Sequence, residues 1–220
     1  LLIHVFIYRI NKSMIDDILK NRRHVIEFED EIPDKELVNS LLQRTWKVTP
    51  SKNNFMAYTV HVVTDNSTKK LIYNMCTSNE EQVNANSTTQ GEYQYILTAP
   101  YVLIFTQRLE DKPNKQQQRL IDKGVYYEAV DPNELATMYD VSCIEVGMFA
   151  KTLTGLCLEN NLDVSYTKCF SQNYKNWIET LPFVNRNPIM IMSIGKGKIY
   201  REIKEDDLRP DFERIINWVK

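Results

Sequence analysis

The sequence predicts a folded domain of the α+β class, on two patterns that share one 220-residue chain. Apolar residues recur at helical spacing in several stretches, the longest running over 134–160, and short β-branched or wholly apolar runs lie between them. The chain is long enough to bury a full core. At 43% hydrophobic and 25% charged, with 6 glycines, it has the make-up of a globular protein and not of a disordered or fibrous one. No linker or internal repeat divides it, so residues 1–220 read as a single domain, with 1–12 an N-terminal arm or strand.

The elements follow in order. The apolar start, 1–8, is too short to span a bilayer and lacks the basic leader and cleavage site of a signal peptide. Ser13 and Asp16 resemble a capping box, and Met14, Ile15, Ile18 and Leu19 form one stripe of a short helix that ends at Arg22-Arg23. After Pro33-Asp34 the positions Leu37, Val38, Leu41, Leu42 and Trp46 predict a second helix, stopped by Pro50-Ser51. The run 58–63 alternates and is β-branched, a strand; 101–106 is apolar throughout, a buried strand. Between them 77–90 is polar without periodicity, and 111–118, which contains Pro113, reads as a surface loop.

Over 134–160 the residues Met138, Val141, Ile144, Met148, Phe149, Leu153 and Leu156 predict a long, largely buried central helix. A glycine inside a helix costs about 1 kcal/mol relative to alanine, so Gly147 and Gly155 predict the close approach of another backbone or a flat ligand. A core strand over 188–194 ends at Gly195, and Phe212, Ile215, Ile216 and Val219 give a last short helix.

Composition excludes several classes of function. A net charge of −2 and a pI near 6.0 argue against a dedicated nucleic-acid binder. The 4 cysteines form no CxxC pair and read as reduced thiols, so a cytoplasmic protein without a membrane segment is expected. Two glycosylation sequons, at Asn66 and Asn86, read as chance matches. Among the 3 histidines, His61 falls inside a predicted strand, and no hydrolase, zinc, P-loop or dinucleotide motif is present. No metal site is expected. The acidic run 27–31 reads as solvated surface, and Lys196 and Lys198 about Gly197 as a solvated turn.

Three separated segments, taken in order, carry a resemblance. Asn21-Arg22-Arg23-His24-Val25-Ile26-Glu27-Phe28 resembles the Arg-Arg-Ser-x-Arg-x-Phe opening of the flavin-dependent nitroreductase family, with His24 in place of Ser and Ile26 in place of a second basic residue. Thr49-Pro50-Ser51-Lys52-Asn53-Asn54-Phe55-Met56-Ala57-Tyr58 is similar to that family's Pro-Ser-x-x-Asn-x-Gln-Pro-Trp element; Pro50, Ser51 and Asn54 match, and Met56, Ala57 and Tyr58 depart. The stretch from Ile144 through Ala150 to Asn161-Leu162 resembles the family's long dimer-interface helix, with Glu145 for the usual Asp and Asn161 for the usual Gly.

The resemblance implies a nitroreductase-like sandwich, a mostly antiparallel sheet flanked by helices, with the long central helix at a homodimer interface and FMN between the subunits. It implies that Arg22, Arg23, His24 and Ile26 lie at the FMN phosphate and ribityl, joined by Arg209 as a second phosphate ligand. Bidentate guanidinium is the natural partner of a phosphate dianion. Pro50, Ser51, Lys52 and Asn54 would lie against the flavin held mainly by the partner subunit, and Tyr166, Thr167 and Lys168 at the isoalloxazine edge. No catalytic acid or base is named. The implied activity is transfer of electrons from NADH or NADPH to an electron-poor organic acceptor, of nitro or quinone type, by a ping-pong cycle. Two alternatives stand beside it: a flavin-binding protein without turnover, and a non-flavin protein whose Arg22-Arg23 and aromatics contact RNA.

Overall fold

The computed structural model describes residues 18–77 except 19, 94–108, 115–124, 139–201 except 169, 171–173, 185 and 187, and 212–216. The expected arm 1–12, most of the first helix, the polar stretch 78–90, residues 134–138 and Arg209 lie outside the described residues.

A four-stranded antiparallel sheet forms the middle layer. Its order is β2 (Tyr58–Val63), β3 (Tyr101–Gln107), β5 (Pro188–Gly195), β4 (Asp163–Thr167). The strand β3 is buried along its whole length, which explains why its sequence is apolar without alternation. Its side chains divide between two cores. Val102 and Ile104 face a core with Ile72, Tyr95, Ile96 and Trp177, whereas Leu103 and Phe105 face a core with Val38, Leu41, Phe149 and Leu153. Burying each such side chain contributes about 1.5–3 kcal/mol, so helices are required on both faces of the sheet. One layer holds α1 (Lys35–Val48) and α5 (Tyr139–Glu159). The other holds α2 (Asn66–Thr77), α3 (Gln94–Thr98) and α6 (Tyr174–Thr180). A two-stranded antiparallel ribbon, β1 (Val25–Phe28) with β6 (Gly197–Tyr200), stands beside this second core through Val25 and Phe28. Two short helices, α4 (Lys115–Asp122) and α7 (Phe212–Ile215), complete the described elements.

Local chemistry sets the helix ends. Asp34 caps α1, its Oδ1 accepting the Glu36 N–H at 3.0 Å. At the other end Thr49 is extended because Pro50 follows it. The helix α5 ends in a left-handed residue, Asn161 at φ 56°, with Leu162 N–H donating to the Cys157 carbonyl and Asn161 N–H to the Leu158 carbonyl. This is the stop that glycine usually provides, and asparagine is the next residue able to adopt it.

The structure corrects two expectations, and a third finds no partner within the described part of the chain. Residues 115–118 are helical and belong to α4, where Gln118 donates to Asp122 one turn on; glutamine, lysine and arginine are good helix formers, and polarity alone did not make a loop. Among the described residues nothing approaches Gly147 or Gly155, since a Cβ at either would meet no atom within 4 Å. The glycines that close approach does require are Gly195, where a Cβ would lie 2.6 Å from Pro100 and 2.8 Å from Phe28, and Gly197, where it would lie 2.6 Å from the Tyr200 ring. Lys198 is on a strand rather than in a turn, paired with Glu27 across the ribbon, while Lys196 pairs with Glu31.

Candidate flavin site

Two groups of residues that the sequence singles out are each built into a defined structure. The first is the entry to β1. Ser165 on β4 fixes it: its Oγ accepts the Val25 N–H and donates to the Val25 carbonyl, both at 2.8 Å, and it is fully buried. This double bond draws 22–24 against the ends of β4 and β6. The Arg22 guanidinium stacks over the Tyr166 ring at 5.4 Å, and Arg23 over Tyr200 at 5.6 Å. Arg201 N–H donates to the His24 carbonyl at 2.8 Å, so a third arginine joins the group. The His24 ring meets Tyr95 edge-on, with centroids 5.4 Å apart.

The field at this spot is positive. Burial first, then the Arg201 and Arg22 guanidinium groups, pushes the His24 imidazole down to about 4. At neutral pH it is an uncharged ring among cations. A phosphate dianion fits this donor set, which offers planar guanidinium forks and a polar ring that need not carry charge itself. Ile26 is half-buried within β1 and offers no polar group.

The second group is the turn 50–57. Residues 52–54 form one 3-10 turn, and Asn54 and Met56 both adopt left-handed backbone, with φ of 55° and 50°. Asparagine adopts this conformation readily, but a left-handed methionine is strained, and such residues gather at functional sites. Ser51 Oγ accepts the Met56 N–H at 2.7 Å, so this hydroxyl shapes the turn. The rest of the support comes from α5, where Glu145 and Ser142 bond the turn's backbone, and from Arg108. Arg108 donates from its guanidinium to the Phe55 carbonyl, stacks over the Phe55 ring and donates its N–H to the Ala57 carbonyl. The side chains of Pro50, Lys52 and Asn54 are exposed. Beside the turn a cleft of about 400 Å³ is lined by Leu42, Trp46, Met56, Tyr58, Val60 and Phe149, with Arg108 at its edge.

Of the remaining expected residues, Tyr166 joins the arginine group and Thr167 is buried in β4. Lys168 is exposed after the strand. The two groups do not share supporting residues: 22–24 lean on β4 and β6, and 51–57 lean on α5 and Arg108. Several contributors were not singled out in the sequence: Ser165, Ser142 and Arg108 belong to no motif, Tyr200 ends and Arg201 follows a strand too short to recognise, and Glu145 was legible only as a substitution within a family pattern.

No protein-family model matches the sequence, and a search of curated proteins returns no match. Solved structures do match. Nitroreductase A from Vibrio parahaemolyticus superposes with a TM-score of 0.67 at 15% identity, covering 94% of this chain and 76% of that one. A protein from Exiguobacterium sibiricum, solved in complex with FMN, gives 0.65 at 16% identity over 93% of this chain and 97% of that one. An FMN-dependent nitroreductase from Clostridium difficile gives 0.59 at 16%, over 92% and 98%. The chain therefore has the nitroreductase fold, an α+β sandwich of helices on antiparallel sheet, as the three sequence segments led one to expect.

Proposed function

We propose that the chain is an FMN-dependent oxidoreductase that takes electrons from NADH or NADPH and passes them to an electron-poor organic acceptor in a ping-pong cycle. The observation that carries this is the placement of Arg22 and Arg201 beside an uncharged His24, with Arg23 next to them in the chain, in a fold it shares with structures described as FMN-binding. Bound FMN supplies the chemistry, accepting an electron pair from the nicotinamide and yielding it to the acceptor.

The chain's own residues bind and orient. Arg22, Arg23 and Arg201 neutralise the phosphate, with Arg209 expected beside them. Tyr166 and Tyr200 hold the first two guanidinium groups by their rings, which limits the rotamer freedom lost on binding. The turn 50–57 covers the flavin of a second copy. That division between copies accords with the separate supports of the two groups. It also gives a use to the outer face of α5, where Asp140, Ile144, Gly147 and Lys151 are exposed at helical spacing and Ile144 is 63% exposed. A homodimer through α5 is the assembly we infer.

The experiment is the visible spectrum of the purified protein, before and after addition of FMN, then of NADH or NADPH without oxygen. Flavin bands that bleach with nicotinamide support the enzyme. Flavin that binds and stays oxidised supports the alternative without turnover, and no flavin binding overturns the proposal.

A further inference from the structure

The turn 51–57 is held from behind at two points that bracket its left-handed residues. Glu145 is 1% exposed, and its carboxylate accepts the Lys52 N–H on Oε1 and the Ala57 N–H on Oε2, each at 2.9 Å. Ser142, nearly one helical turn earlier on α5, donates to the Ala57 carbonyl at 2.7 Å. Asn54 and Met56, the two left-handed residues, lie between these anchors. Two N–H donors that converge on one side chain call for a group that only accepts. An ionised carboxylate does so with both oxygens, whereas the isosteric amide has one acceptor and would set its NH₂ against the second N–H. A buried carboxylate is otherwise expensive, so its placement here calls for this pair of bonds.

We infer that Glu145 is a positioning residue for the flavin, holding the turn 51–57 in its left-handed shape through the Lys52 and Ala57 amides before any flavin binds. The inference rests on the proposed function, which places this turn against FMN. It adds that the shape of the turn comes from α5. Glu145 points inward from α5 while its neighbour Ile144 points outward, so the surface we assign to the second copy and the turn that covers its flavin are set by adjacent residues of one helix. A clamp of purely structural use would alter the turn's exchange behaviour and leave bound flavin untouched.

Three measurements on the full chain separate these cases: hydrogen exchange over 51–57 without flavin, the dissociation constant for FMN, and the visible spectrum of the bound flavin. In E145Q the Lys52 and Ala57 amides should exchange faster, FMN should bind about tenfold more weakly or worse, and the flavin bands should shift. E145D, which keeps the charge on a shorter arm, should recover part of the affinity. If E145Q does not fold, S142A serves, removing one bond to the turn with a smaller loss in the same direction. Faster exchange with unchanged affinity and spectrum, in E145Q or failing that in S142A, overturns the inference and leaves the flavin reading standing. A wild-type chain that binds no FMN overturns both.

Discussion

The entry to β1 and the turn 51–57 are held in opposite ways. At 22–24 the working groups are side chains at the surface, three arginines and two tyrosines, and the backbone is pinned at one buried point, Ser165. At 51–57 the backbone is pinned by side chains that point at it, Glu145, Ser142, Ser51 and Arg108, while Lys52 and Asn54 of the turn itself reach solvent. The first arrangement depends on which side chains carry charge, the second on which side chains hold the backbone from beneath.

The largest effect that would sharpen this contrast is on the charge side. Replacing Arg22 and Arg23 together by alanine removes two charge-assisted contacts, each worth about 1.5–3 kcal/mol, so FMN retention should fall at least a hundredfold by the tenfold-per-1.4 kcal/mol rule. Both arginines reach solvent, and the melting temperature should barely move. Unchanged FMN affinity in the double variant would mean that the arginines serve only their tyrosines.

Next comes the single buried pin. Ser165→Ala leaves the Val25 N–H and carbonyl without their partner inside the core, at a cost of about 1–3 kcal/mol. Chemical denaturation should show the loss in the midpoint with the slope unchanged. Flavin affinity should fall with it, because the strand entry that carries Arg22 and Arg23 is no longer drawn onto β4.

Much of this architecture was legible in the chain, and the gaps have physical causes. The helix α1 and the strands β2, β3 and β5 stand within a few residues of where periodicity puts them, because β3 and β5 are buried almost throughout and α1 and β2 turn Val38, Leu41, Tyr58 and Val63 into the cores. The strands β1, β4 and β6 were missed. They are four or five residues long, and their pairing depends on Ser165, on a bulged register between β1 and β6, and on Asp163 bonding Gly197 and Tyr200, none of which leaves a pattern in sequence. The same holds at the site. Arg22, Arg23 and Tyr166 could be named in advance, but only the folded ribbon shows that Arg201 reaches His24 or that Glu145 faces two amides 88 and 93 residues away.

The arginine group also predicts a pH response. His24 sits at about 4 in the folded chain against an ordinary 6.5. Between those values the unfolded state binds the extra proton, so stability rises with pH across the window. The contribution is complete above pH 6.5 and is lost as pH falls towards 4, amounting to about 1–2 kcal/mol once solvent screening of a half-buried group is allowed for. His24→Gln should flatten that part of the stability curve. Adding FMN should move the His24 titration upward, since a bound dianion offsets the two guanidinium groups that hold it down.

The smallest effect separates what α5 does for its own chain from what it does for a second one. Gly147 is exposed on a helix interior, and a Cβ there meets no atom of the described residues within 4 Å. Helix propensity alone then makes Gly147→Ala stabilising by about 1 kcal/mol. In the homodimer proposed above, a glycine at this position beside the exposed Ile144 leaves room for a neighbour that comes too close for a methyl group. The expected result is a split outcome: the isolated chain gains stability in denaturant, while sedimentation shows weaker self-association and FMN is held less well. If Gly147→Ala stabilises the chain and leaves both association and flavin binding as they were, the exposed stripe of α5 is not where a second copy packs, and the turn 51–57 would have to cover a flavin held by its own chain.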